Sequence, residues 1–202
     1  MKRKSLLVLG VSVLLAAAVL GGCGKKDGDT DPTGTPEATP TMEATPTPEP
    51  EKDPAEVLAE IHQKIKEAYG DKYLPNMPYE DMMFSEMMGI DSSLYDVAIG
   101  EGPMISTNVE RFTAFHATEG NAEALKTAVL AYQDRLKNDT FQYPMNVPKI
   151  QASVVETVGD YVFFYMLGAV ETTSYNSQEE AIAPCIEANK IATDIIHEVL
   201  GK

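Results

Sequence analysis

The chain has few of the residues from which common catalytic and cofactor sites are built. Its 202 residues contain no tryptophan, two cysteines and three histidines. Two cysteines cannot form a disulfide framework. The histidines, His62, His116 and His197, do not stand at the H-x-x-x-H or H-E-x-x-H spacing of metal sites. A Gly-rich phosphate loop, Gly-x-Ser-x-Gly and Cys-x-x-Cys are also absent from the sequence. We therefore predict no catalytic, cofactor-binding or metal-ligating residue.

Basic residues are scarce as well, with 16 Lys and Arg against 31 Asp and Glu and a net charge of −15. Phosphate backbones are bound by clustered Lys and Arg, so this balance argues against a nucleic-acid partner. Three of the basic residues, Lys2, Arg3 and Lys4, precede the main apolar run. Their removal with a leader peptide would lower the net charge from −15 to −18.

The long uncharged apolar run extends from Leu6 to Leu20 and is followed by Gly21, Gly22 and Cys23. It is shorter than the roughly 20 residues that a spanning helix needs. A basic head, an apolar core and small residues at the end are typical of a secretory signal peptide. The end of the run resembles a bacterial lipobox, in which the chain is cut between Gly22 and Cys23 and the Cys23 thiol carries lipid.

This resemblance predicts a mature protein that begins at Cys23 and is held at the cell membrane by acyl chains such as palmitate. Two acyl chains anchor a protein stably, at about 0.8 kcal/mol for each buried CH2. An uncleaved anchor is the first alternative. A disulfide between Cys23 and the distant Cys185 is a weaker one. The predicted location is the extracytoplasmic face of the membrane.

Three segments follow from composition. Residues 1–22 are the predicted signal peptide, and residues 23–52 are a lipidated N-terminus with a linker rich in Pro, Thr and Glu. Such a linker cannot bury enough apolar area to offset its ordering entropy, which predicts disorder. Residues 53–202 form about 150 residues, the usual size of one domain.

Helical signals begin this domain. Asp53 and Pro54 are a typical cap and first residue, and an apolar stripe from Leu58 to Tyr69 ends at Gly70. We predict a second helix over 78–88 and a short third over 91–99. A further helix over 122–137 is predicted with Asn121 as its cap.

Strand signals follow in the second half. Residues 108–117 are rich in β-branched and aromatic side chains. Residues 152–157 and 161–167, joined by a turn at Gly159, predict a hairpin. The segment 161–167 is apolar on both faces, which predicts a strand covered on both sides or facing a partner. A last helix over 177–200 is capped by Ser177, and Pro184 either kinks it or marks the start of its regular part.

These elements predict an α+β fold with N-terminal helices followed by a β-α-β-β-α unit. The small antiparallel sheet is expected to be covered by helices. A partial ferredoxin-like unit is one arrangement of that order.

Three groups of residues could carry chemistry. Cys185 lies within an apolar helical stripe, which favours core packing over a role as nucleophile. His116 could form a site with a distant carboxylate, whereas His197 is expected to be solvated. Five methionines between residues 77 and 88 favour core packing, with a pliable groove for an apolar ligand or a Cu(I) site as alternatives.

Several stretches together, Tyr69–Pro75, Phe84–Asp91, Pro103–Ser106 and Gly159–Phe164, resemble a family of uncharacterised lipoproteins from Gram-positive anaerobes, filed as a domain of unknown function. The resemblance implies an extracytoplasmic location. It brings no activity and no site residues.

The sequence thus predicts a lipid-anchored lipoprotein that binds a protein, a peptide or a small solute at the cell envelope and is not an enzyme. A hydrolase-like enzyme acting on envelope material is the first alternative. A metal-handling protein is the second.

Overall fold

A five-stranded antiparallel sheet lies between two layers of helices in the computed structural model, which describes residues 52–202. The predicted signal peptide, the cleavage site at Gly22 and Cys23, and the linker up to residue 51 lie outside the described residues. The elements are α1 (Pro54–Tyr69), β1 (Met77–Pro78), α2 (Asp81–Glu86), β2 (Tyr95–Gly102), β3 (Arg111–Ala117), α3 (Ala122–Asn138), α4 (Val147–Gln151), β4 (Val154–Val158), β5 (Tyr161–Met166) and α5 (Gln178–Leu200).

The strand order is β1-β2-β3-β5-β4, with every neighbouring pair antiparallel. Strand β5 is apolar on both faces because helices cover both faces. Val162 and Phe164 pack with α3 in one core, whereas Phe163 and Tyr165 pack with α1 and α5 in the other. The α+β class and the covered central strand are therefore confirmed.

Local signals fix α1 as the sequence predicts. The Asp53 carboxylate accepts a hydrogen bond from the Ala55 N–H at 2.9 Å, and Pro54 is the first helical residue. The apolar stripe of α1 is buried against the sheet. At the other end the chain turns at Gly70, whose φ of 52° suits a residue without a side chain.

The predicted third helix over 91–99 is wrong. Ser92–Leu94 make one 3-10 turn, and the chain then forms the eight-residue strand β2. Pairing with β3 along six positions decides this outcome, because a long-range strand partner outweighs local helix propensity. The prediction of a second helix over 78–88 is too long. Pro78 instead pairs with Glu101 in the sheet, and α2 begins at Asp81.

The remaining differences concern the ends of helices and one short helix. Asn121 makes no side-chain cap hydrogen bond to α3, although the helix begins where it was predicted. The Pro-rich loop before the hairpin contains the short helix α4, which the sequence prediction missed. Helix α5 is capped by Ser177, whose hydroxyl accepts from the Glu180 N–H at 3.2 Å. It continues through Pro184, so its regular part does not start there.

The segment from β3 to β5 has the strand order of a split β-α-β unit, with β5 inserted between β3 and β4. A ferredoxin-like arrangement would place both of its helices on one face of the sheet. Here α3 and α5 contribute to different cores on opposite faces. The position next to β3 is taken by β2, which precedes the unit. The result is a three-layer arrangement rather than a ferredoxin-like two-layer one.

Candidate functional site

Exposed apolar side chains collect at the end of the sheet where β2 finishes and β3 begins. Three neighbouring grooves of about 270, 250 and 230 Å³ lie there. The first and second share Ile105, and the second and third share Met145. We call this region the apolar surface. It comprises the groove-lining residues Leu74, Met77, Met83, Met87, Ile105, Met145 and Tyr175, and the adjoining exposed residues Met104, Phe141 and Tyr143.

Two loops carry the most exposed members of the apolar surface. Phe141 is 94% exposed, and Met104 and Ile105 are 70% and 62% exposed. The loops are tied together, because the buried Asn146 donates its side-chain N–H to the Thr107 carbonyl at 3.0 Å. These side chains therefore project from a braced loop pair.

The ring of Tyr79 forms part of the floor of the first groove. It lies against Gly100 and Gly102 of β2. A Cβ atom on Gly100 would stand 2.7 Å from Tyr79 Cδ2, and one on Gly102 would stand 2.7 Å from Tyr79 Cε1. The two glycines thus allow the ring to lie directly on the strand, which leaves room for the groove above it.

The five methionines between residues 77 and 88 lie in different surroundings. Met88 is fully buried in the core, as ordinary packing predicts. Met77, Met83 and Met87 line the first groove, whereas Met82 is exposed and lines none of the three grooves. Within residues 52–202, no group of three or more His, Cys, Asp and Glu residues could hold a metal ion.

Three basic side chains near the apolar surface are engaged internally. Arg111 donates to the Tyr132 hydroxyl and, at 3.0 Å, to the Val109 carbonyl. Arg135 donates to the Met88 carbonyl at 2.7 Å. Lys149 forms an ion pair with Glu110, a carboxylate that is almost fully buried. These cations therefore brace the fold.

The opposite end of the sheet holds His116, a candidate partner for a distant carboxylate. Its Nδ1 atom lies 2.7 Å from Asp96 Oδ1, so the two residues do form a pair. His116 also lines an open groove of about 690 Å³ between the start of α1 and the β4–β5 turn. The described residues that line this groove include no Ser, Thr or Cys, which are the most common hydroxyl and thiol nucleophiles.

A buried polar cluster around His62 was not predicted. His62 Nε2 lies 3.0 Å from the Tyr73 hydroxyl and 3.3 Å from Glu101 Oε2, and the ring stacks on Phe112. Lys66, one turn further along α1, binds the same Glu101 carboxylate at 3.0 Å. Burial lowers the pKa of His62 and raises the pKa of Tyr73. The i and i+4 spacing of His62 and Lys66 was the available signal, but their partner on β2 could not be inferred from it.

His197 and Cys185 have structural surroundings. His197 is partly exposed, with 29% of its side chain accessible, and its Nε2 atom lies 2.9 Å from Glu156 Oε1, where Lys202 also binds. Cys185 is buried, which confirms its place in the core. Burial raises the pKa of its thiol to about 11, and this opposes formation of a reactive thiolate.

Among residues 52–202, no helix is both long enough and apolar enough to cross a bilayer. No curated protein and no solved structure matches the chain. One family match covers all five strands and helices α2 to α4 but leaves out most of α1 and all of α5. Residues 68–167 match the family described as a domain of unknown function, DUF4358.

Proposed function

We propose that this protein is a lipid-anchored lipoprotein of the extracytoplasmic membrane face, whose domain binds a protein or peptide through the apolar surface. The lipobox resemblance at Cys23 supports the anchor. The observation that carries the binding role is the joined set of grooves around Ile105 and Met145. Exposed apolar patches of this kind mark interaction sites in soluble domains.

The shape of the apolar surface favours a peptide or protein over a small solute. Small-molecule sites are usually single cavities of about 300–1,000 Å³ that enclose most of the ligand. Here the grooves are smaller, at about 270, 250 and 230 Å³, and lie side by side. An extended or helical segment could place successive apolar side chains in successive grooves.

The position of the apolar surface also suits a tethered binding domain. Lys52, where the described residues begin, lines the groove beside His116 at one end of the sheet. Arg111, at the other end of the seven-residue strand β3, lines the first groove of the apolar surface. The strand separates the two ends by roughly 20 Å. A partner on the apolar surface would therefore leave the start of the domain clear.

The anchor is tested by metabolic labelling with palmitate and by membrane fractionation. Wild-type protein should carry label and sediment with membranes. The Cys23→Ala variant should lose the label, whereas Cys185→Ala should keep it. Label that persists on Cys23→Ala would overturn Cys23 as the lipid carrier.

The binding role is tested by a photo-crosslinking amino acid placed in the anchored protein in cells. Position 105 lies within the apolar surface, and position 130, an exposed leucine on α3 that lines none of the three grooves, is the matched control. Adducts of defined mass should form from position 105 and not from position 130. Equal labelling from both positions would contradict a specific surface.

A hydrolase-like activity is the second candidate, and the His116–Asp96 pair beside a groove is the observation that favours it. With no Ser, Thr or Cys among the described residues of this groove, His116 would act as a general base on water. Turnover of ester, amide or glycosidic substrates should then fall in His116→Gln and Asp96→Asn but not in His197→Gln. Absence of turnover in wild type, or equal turnover in all variants, would eliminate this candidate.

A further inference from the structure

We infer that the occupant of the apolar surface is a cationic amphipathic segment, with apolar side chains in the grooves and Lys or Arg residues against an acidic rim. This inference rests on the proposed binding function and adds the chemical class of the partner. Its basis is the contrast between three carboxylates of α2 and its cap that lack an ion-pair partner and three basic side chains, Arg111, Arg135 and Lys149, that are engaged within the fold.

We call the three exposed carboxylates of α2 and its cap, Glu80, Asp81 and Glu86, the acidic rim; Glu80 and Glu86 flank the groove-lining side of the helix, whereas Asp81 lies on the side of Tyr95. They stand at the two ends of α2, the helix whose Met83 and Met87 line the first groove. Within residues 52–202, none of the three carboxylates belongs to an ion pair with a Lys, Arg or His side chain. Their charge is therefore available to a partner.

Three basic groups close to the apolar surface are engaged within the fold and do not offset this rim. Arg111 and Arg135 are tied to hydroxyl and carbonyl oxygens of the fold, and Lys149 neutralises the buried Glu110. The balance of the whole domain points the same way, with 24 Asp and Glu against 11 Lys and Arg in residues 52–202, a net charge of −13. A cationic partner would be attracted over a distance and an anionic one repelled.

The methionines suit a segment of this class. Thioether side chains are flexible and polarizable, so a Met-lined groove adapts to apolar side chains of different shape. Met77, Met83 and Met87 supply that lining, next to the rim on α2. We therefore expect selection by charge and amphipathic pattern, with tolerance of the identity of the apolar residues.

The first experiment compares two fluorescent peptides, one of Leu and Lys in an amphipathic helical pattern and its twin with Glu in place of Lys. The full chain is embedded in nanodiscs of zwitterionic lipid, with empty nanodiscs as the blank. Anisotropy titration should give binding of the Lys peptide at least about tenfold tighter than of the Glu peptide. Added salt should weaken binding of the Lys peptide, because it screens exposed charges.

The second experiment locates the binding. The triple variant Glu80→Gln, Asp81→Asn, Glu86→Gln should weaken the Lys peptide about threefold to tenfold. The control triple Glu56→Gln, Glu119→Gln, Asp160→Asn removes the same number of exposed charges at positions that line none of the three grooves, and it should leave affinity within about twofold. Ile105→Ser should weaken binding, whereas Ile191→Ser, an exposed isoleucine on α5, should not. Circular dichroism and Tm confirm that each variant is folded.

The outcomes separate this inference from the proposed function. Equal affinity for the two peptides, or an equal loss in both triple variants, would overturn the cationic partner. If neither peptide binds while crosslinks from position 105 persist, the surface binds a different class and only the inference fails. A dimer in sedimentation that Ile105→Ser dissociates would assign the surface to a second copy. Absence of both peptide binding and crosslinks would overturn the cationic partner and the proposed binding function together.

Discussion

Glu110 and Lys149 form an ion pair of 2.6 Å in which the carboxylate is only 1% exposed. The second oxygen of Glu110 accepts a hydrogen bond from the Ala169 N–H at 3.1 Å. Ala169 has a φ of 51°, a conformation that is uncommon for residues other than glycine. One buried carboxylate therefore joins the start of β3, helix α4 and the chain after β5.

Replacement of this carboxylate should be strongly destabilising. Glu110→Ala leaves the Lys149 ammonium without its partner and the Ala169 N–H without an acceptor. Breaking a buried pair from one side costs about 3–5 kcal/mol. Urea unfolding should show a loss of that size in the free energy of unfolding. The exposed pair Glu187–Lys190 is the control, and Glu187→Ala should cost less than about 1 kcal/mol.

Close packing of Tyr79 on β2 predicts intolerance of a side chain at Gly100. A Cβ there would stand 2.7 Å from Tyr79 and 2.9 Å from Phe84, so Gly100→Ala should cost about 1–3 kcal/mol. The double variant with Tyr79→Ala should be less destabilised than the sum of the single variants, because the clash with Tyr79 is relieved.

Gly120 is the control position for this comparison of single and double variants. A Cβ at this position meets nothing within 4 Å, and its φ of 77° makes any cost of Gly120→Ala one of backbone strain. The cost of Gly120→Ala should therefore simply add to that of Tyr79→Ala. Additive behaviour at Gly100 would contradict the packing explanation.

The His62 cluster predicts a loss of stability on mild acidification. Burial lowers the pKa of His62 below 6.5, against the pull of Glu101, and Lys66 acts in the same direction as burial. Between the folded-state and unfolded-state pKa values, the unfolded chain therefore binds a proton at His62 and the folded chain does not. This contribution to stability is complete above pH 6.5 and is lost as the pH falls through the folded-state pKa.

The measurement is the free energy of unfolding between pH 7.5 and pH 5, compared for wild type and His62→Gln. Wild type should lose more stability over this range than His62→Gln, because the variant lacks the titrating ring. In a His116→Gln variant, the contribution of His62 to the pH dependence of the free energy of unfolding should be unchanged. Identical slopes for wild type and His62→Gln would show that the His62 pKa is the same in both states.

Burial of Cys185 predicts a thiol that is slow to react. Its pKa is raised from 9.0 to about 11, which lowers the thiolate fraction at pH 8 by about a hundredfold. In a Cys23→Ala background, a disulfide reagent should label the native chain at least a hundredfold more slowly than the urea-unfolded chain. Rapid labelling of the native chain would show that α5 opens locally or that the thiol is accessible.

Elements with strong local signals were predicted well. The Asp53–Pro54 start of α1, the hairpin around Gly159 and the Ser177 cap of α5 each depend on residues that are neighbours in the chain. Strand β2 was missed because its stability comes from β3, and β3 is separated from it by a loop. Local propensity is a weak guide wherever a distant strand supplies the hydrogen bonds.

The sequence predicted a groove as one alternative but not the full set of residues that form the candidate site. The methionine cluster between residues 77 and 88 suggested a pliable groove as one alternative. The sequence did not indicate that Ile105 and Met145 would join it, because their loops come together only through contacts such as that of Asn146 with Thr107. Likewise, His116 was considered with an unnamed carboxylate, and the β2–β3 register brings Asp96 to it.

The sequence by itself determined the α+β class, the positions of the capped helices and the acidic charge balance, because these follow from composition and from neighbours along the chain. It also predicts the lipid anchor at Cys23, which lies outside the described residues. Only the tertiary structure decided the three-layer arrangement, the pairing of each histidine with a carboxylate and the apolar surface with its acidic rim. These features depend on strand pairing and on loops that meet across long separations in sequence.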